Sequence, residues 1–209
     1  MLNLVAIAGV AVSLLAGTVP GGVTSTAVEA APADKVVLDV VTVNGSGCPA
    51  GSASVTSRAD NTAFTVSYND FLAQAGSGSN AVDSRKNCQI NVLVRVPAGF
   101  TYVIARAEYR GFAHLQAGAT ALQIAHYYIM GQSPTAESRH TFYGPMSGDW
   151  RAVDEADALI WAPCGVASNL NINTELRVDA GHSGASSFVT MDSTRGAVRT
   201  VFNFSWREC

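Results

Sequence analysis

Apolar side chains recur at every second position along much of this chain. Phe64, Val66 and Tyr68 alternate with Ala63, Thr65 and Ser67. Cys88, Ile90, Val92, Val94 and Val96 share one face, opposed by Gln89, Asn91 and Arg95. Leu170, Ile172, Leu176 and Val178 alternate with Asn171, Asn173, Glu175 and Arg177. Phe202, Phe204 and Trp206 alternate with Val201, Asn203 and Ser205. A period of two places successive side chains on opposite faces of a pleated strand, so each run predicts a strand with one buried and one wet face.

Further strands are expected at 36–43, 52–56, 101–109, 115–130 in two parts, 158–162 and 187–191. Asn44-Gly45-Ser46-Gly47, Pro49-Ala50-Gly51, Pro97-Ala98-Gly99 and Ala180-Gly181 punctuate them as turns. One short helical piece is expected around 69–75. About ten short strands with this punctuation predict an all-β fold: an antiparallel β-sandwich, jelly-roll-like, as a single domain over 31–209. Two stretches lack clear alternation. Residues 75–83 are rich in Gly and Ser, and 131–150 carry Pro134, His140, Tyr143, Pro145 and Trp150. Both read as loops, and long loops on a β scaffold often carry function.

The N-terminus changes the picture. Leu2 to Val19 is almost wholly apolar and leads to Val28-Glu29-Ala30, whose small residues suit signal peptidase. Residues 1–30 therefore read as a signal peptide cut after Ala30, although no Lys or Arg precedes the apolar run. The expected location is secreted, extracellular, with no membrane span after cleavage. The formal net charge is −3. That argues against nucleic acid as a partner. Cys48, Cys88, Cys164 and Cys209 form an even set in an exported chain, which implies two bridges. Four cysteines allow three pairings; Cys48–Cys88 with Cys164–Cys209 is favoured because each bond staples one half of the chain. No Cys-x-x-Cys spacing supports zinc, and neither a metal nor a cofactor is expected.

The chemistry-bearing residues give no complete motif. Gly181-His182-Ser183-Gly184-Ala185 approaches a nucleophile elbow but ends in Ala, with no helix predicted after it. No His-Glu-x-x-His occurs. His126 falls on a face with Leu122, Ile124, Tyr128 and Met130, and reads as a core histidine. His140, Asp149 and Glu155 are the weak catalytic candidates, the two acids being a glycosidase-like pair. Arg85, in Asp83-Ser84-Arg85-Lys86, offers a planar donor fork for an anion, or else ties a loop to a neighbouring strand. Trp150 and Tyr143 are candidate ligand contacts, with Trp150 expected to be the most accessible tryptophan. Trp206 reads as core. Asp60, Asp70, Asp83, Asp149, Asp154, Glu155 and Asp157 lack the spacing of a calcium loop. The row Asn171, Asn173, Glu175, Arg177 is either a hydrogen-bonding face or the plain wet side of a sheet.

Five segments resemble the exported family called domain of unknown function 4360, found in actinobacteria and fungi. They are Asn44–Pro49, Asp83–Gln89, Tyr109-Arg110-Gly111, Leu170–Thr174 and Phe204–Cys209. The resemblance runs from about Val36 to Cys209, and three of the five segments contain a cysteine. It implies a secreted, compact, disulfide-bonded domain and transfers no activity, cofactor or catalytic residue. The leading functional expectation is a non-enzymatic extracellular binding module for a cell-envelope or glycan ligand. The alternatives are a small secreted hydrolase with its site near 131–155, and a secreted inhibitor or partner-binding protein, which would show a large exposed apolar patch.

Overall fold

A computed structural model describes residues 30–156, 159–191 and 199–209. The signal peptide reading of 1–30 falls almost entirely outside them, as does Asp157. The described chain is all-β, with twelve strands in two antiparallel sheets. The five-stranded sheet runs β1 (Val37–Asn44), β5 (Arg85–Arg95), β10 (Ser168–Asp179), β7 (Thr120–Ile129), β8 (Ala136–Tyr143). The seven-stranded sheet is built on β6 (Phe100–Leu115). One side of β6 pairs with β9 (Met146–Glu155). The other pairs with β12 (Thr200–Glu208) along its first half and β11 (Ser187–Thr190) near its end. Beyond these lie β3 (Ala63–Tyr68) on β12, β4 (Leu72–Ala75) on β11, and β2 (Ala53–Ser57) on β3.

Each layer supplies a different kind of core residue. The inner face of the seven-stranded sheet is aromatic. Phe64 stacks on Phe202 at 4.9 Å between ring centroids, and Tyr102 meets Phe204 edge-on at 5.3 Å. The inner face of the five-stranded sheet is mainly aliphatic: Ile90, Val92, Leu170, Ile172 and Leu176 are all buried. Flat rings against branched aliphatics fill the interlayer space, and all four alternating runs put their apolar set there. Asn61 closes one end. It bonds Val36 N, Pro32 O and Asp34 O through its side chain, and its own carbonyl accepts from Trp206 Nε1 at 2.9 Å. Its left-handed backbone (φ 56°) is one that asparagine tolerates.

Disulfides join Cys48 to Cys88 and Cys164 to Cys209, closing loops of 40 and 45 residues. Each contributes about 4 kcal/mol by restricting the unfolded chain.

Four expectations are corrected. The helical piece at 69–75 is β4; Asp70 at φ 68° breaks the chain between β3 and β4, so the local polarity marks an interrupted strand. The described helices are two 3-10 turns, Ala81–Ser84 and Gly181–Ser183, neither long enough to cross a membrane. The irregular reading of 131–150 gives way to strands β8 and β9, which lie in different sheets, β8 on β7 and β9 on β6. These are edge strands, and the inward face of β8 is Ser138, His140 and Phe142, so no apolar period shows. Residues 159–162 of the expected strand 158–162 are not a strand. They are fastened singly: Ala162 N donates to Tyr102 O, and Thr101 Oγ1 donates to Ala162 O. Finally, β7 buries Ala121, Gln123, Ala125 and Tyr127, and His126 lies half-exposed on the outer face beside Glu137. Small alanines make room for the aromatic layer opposite, which outweighs the greasier but bulkier Leu122 set.

Candidate functional site

The outer face of the five-stranded sheet can be laid out row by row from the strand registers. Arg85 on β5 is opposite Arg177 on β10, followed by Leu122 on β7 and Thr141 on β8. The next row is Asn87, Glu175, Ile124, Arg139. Then come Gln89, Asn173, His126, Glu137, and after them Asn91, Asn171, Tyr128. On the far side of the arginine row, Asp179 is opposite Thr120, which is opposite Tyr143. Alternation puts these side chains on one surface, and the opposite positions form the core.

Glu175 organises the centre. Arg85 Nε and Nη2 donate to its Oε2 at 2.9 and 2.5 Å, and Arg177 Nε donates to Oε1. Burial raises the Glu175 pKa, but the two arginines outweigh it and hold the carboxyl below its usual range. Arg139 Nε donates to Glu137, whose pKa is also lowered by that contact. Ile124 points outward yet is only 3% exposed. It sits between Glu175 and Arg139 in the register, where long charged side chains shelter apolar surface.

A depression of about 270 Å³ opens here, lined among others by Gln89, Asn173, Glu175, Arg85, Arg139 and Arg177. A second, of about 440 Å³, adjoins it and is lined by Arg85 and Arg177 with Thr120, Leu122 and Asp179. The two arginines thus border both. Farther along, Asn91 Nδ2 donates to Asn171 Oδ1 at 2.8 Å. Arg85 and Tyr143, two of the sequence-derived ligand candidates, both fall on this face; Tyr143 is 70% exposed. Asn173, Glu175 and Arg177 were visible as an outward row. Arg139 was missed, because its strand showed no apolar period.

Trp150 is a correction. It is 5% exposed and packs on Phe142 at 4.9 Å, across the gap between the sheets. Gly111 across the pair makes room: a Cβ there would lie 2.2 Å from Thr190 O and 2.3 Å from the Trp150 ring.

The catalytic candidates do not converge. His140 points inward from β8 and meets Asp154, Nε2 to Oδ2 at 3.1 Å. Asp149 and Glu155 lie on the opposite face of β9, where Glu155 pairs with Arg106. The expectation that His140, Asp149 and Glu155 form one constellation is overturned by strand alternation. Behind His140, Tyr109 is buried, which pushes its phenol pKa well up. Ser138 Oγ donates to that phenol at 3.3 Å, not to His140, so these groups do not form a nucleophilic relay. Among the described residues no three or more His, Cys, Asp or Glu side chains group to hold a metal.

Comparison with known proteins adds the family. The sequence profile of DUF4360, a domain of unknown function, matches residues 34–209. The chain belongs to the DUF4360 family. A relative in Arthroderma benhamiae, named as an uncharacterized secreted protein, is 35% identical over 178 residues, covering 84% of this chain and 73% of that one. This DUF4360 protein is likewise secreted, and its two disulfides suit an oxidising exterior. Among solved structures, the enzymatically active domain of bacteriophage CBA120 tailspike protein 4 aligns at 13% identity with a TM-score of 0.26. The match covers 80% of this chain and 19% of the tailspike, and at that score it carries no argument.

Proposed function

We propose that this DUF4360 protein is a non-catalytic extracellular module that binds a glycan, of the cell envelope or of the surroundings, on the outer face of its five-stranded sheet. The observation that carries this reading is the pair of adjoining depressions on that face, lined by amides and guanidiniums, with the exposed Tyr143 on the same face opposite Thr120 of the second. Gln89 and Asn173 offer both donors and acceptors, the inventory that sugar hydroxyls require. Tyr143 supplies a flat surface for the apolar face of a sugar ring. All of these side chains stand on strands, so their spacing is held by the sheet.

The test is a glycan array and a polysaccharide pull-down with the wild-type protein, Asn173→Ala and Tyr143→Ala. Wild type is expected to bind, and each variant to bind at least about tenfold more weakly, the loss of roughly one good contact. Both variants should keep the wild-type melting temperature to within a few degrees, since surface changes of this kind are worth about 0.5 kcal/mol or less. Absence of wild-type binding to any glycan ends the proposal.

A further inference from the structure

The glycan-binding reading leaves the ligand's charge open. We infer that the ligand is an acidic glycan, a chain of carboxylate-bearing sugars whose carboxylates seat on Arg85, Arg177 and Arg139. This inference rests on that reading and narrows it to one substrate class.

The argument begins with register. Arg85 and Arg177 are direct partners across β5 and β10. Like charges placed opposite one another in a sheet repel. Glu175 offsets this, but one carboxylate between two guanidiniums leaves a unit of positive charge. Arg139 stands in the same row as Glu175, two strands away and separated from it by Ile124. Three guanidiniums therefore ring one depression, against Glu175 within it and Glu137 at its rim. His126, 3.6 Å from Glu137, would add charge when protonated.

The arginines face outward. Arg85, Arg139 and Arg177 side chains remain 64%, 56% and 49% exposed while bonded to their glutamates. Arg177 and Arg139 meet those glutamates through Nε. The planar guanidinium suits two-point contact with a carboxylate. Arg85 and Arg177 border both depressions, but Asp179 lines the second, so the excess of positive charge lies at the first, where three guanidiniums meet Glu175 and Glu137 and the acidic group would seat. The overall charge of the protein is negative, at −3, so attraction of a polyanion would come from this patch and not from the molecule as a whole.

The experiment compares polygalacturonate with the same polymer after its carboxyl groups are reduced to alcohols. The reduced chain keeps its ring and linkage and loses only the charge. Wild type is expected to bind the acid form at least about tenfold more tightly, with the preference shrinking as NaCl rises from about 50 to 500 mM. Arg177→Gln and Arg85→Gln should each bring the ratio of the two affinities toward one. Arg110→Gln, on the opposite sheet, should leave the ratio as in wild type and serves as the control for non-specific charge. Dextran sulfate forms a third arm: tighter binding of sulfate than of carboxylate would overturn the assignment to carboxylate. Equal binding of both galacturonan forms, or an equal loss in Arg110→Gln, overturns the acidic-ligand inference and leaves the glycan reading standing. Failure to bind any glycan on the array overturns both.

Discussion

Each sheet carries one glutamate clasped by arginines on its outer face, and the two clusters differ in kind. On the seven-stranded sheet, Glu108 is held by Arg110 and Arg151 at 2.5 Å and by Arg106 at 3.4 Å, with its side chain 8% exposed. The Arg151 hydrogen bond, opposed by burial and reinforced by Arg110, brings its pKa down to about 2. There the guanidiniums close over the carboxylate and knit β6 to β9. On the five-stranded sheet, Glu175 has two arginines instead of three, and they border open depressions lined with amides. An arginine–glutamate cluster is thus not a site in itself. What separates the two is the space beside the cluster and the hydrogen-bonding groups that line it.

The largest test of this contrast is Trp150→Ala, which strikes the interior behind the Glu108 sheet. It should cost about 3–5 kcal/mol in urea unfolding, as for other buried large aromatics. A cost under about 1 kcal/mol would show that Trp150 is exposed after all. Next, Glu108→Gln leaves three arginines facing one another and should cost about 2 kcal/mol, after allowance for the exposure of those arginines. The sign with pH follows from the lowered pKa. The Glu108 contribution is complete above its unfolded value of 4.5 and is lost as pH falls from there toward about 2. Unfolding midpoints measured across that window should converge for wild type and Glu108→Gln at the acid end. Smallest is Glu175→Gln, at no more than about 1 kcal/mol, because its arginines are 64% and 49% exposed. A Glu175→Gln cost equal to that of Glu108→Gln would erase the distinction.

The strands with apolar alternation were legible in the sequence because their inner faces are wholly greasy, as in Phe202, Phe204 and Trp206. The segment 136–155 was not, because Ser138 and His140 occupy inward positions on an edge strand, where Tyr109 and Asp154 give them polar partners. Trp150 and Tyr143 looked alike in sequence as aromatic ligand contacts. They lie on strands of different sheets, Trp150 packed between the two layers and Tyr143 on the outer surface of the five-stranded one. The outward row from Asn171 to Arg177 could be read, but not the strands that flank it. Register brings Arg85 and Arg139 to the same patch from positions 54 residues apart, and pairing at that range leaves no local signal.

The fork at Glu175 also bears on entropy. Arginine is among the most freely rotating side chains, and each one fixed loses about 2 kcal/mol of rotamer freedom. By fastening Arg85 and Arg177, the carboxylate settles much of that loss when the chain folds. An anion arriving later meets donors already aimed, so less of its binding energy goes into ordering the surface that receives it.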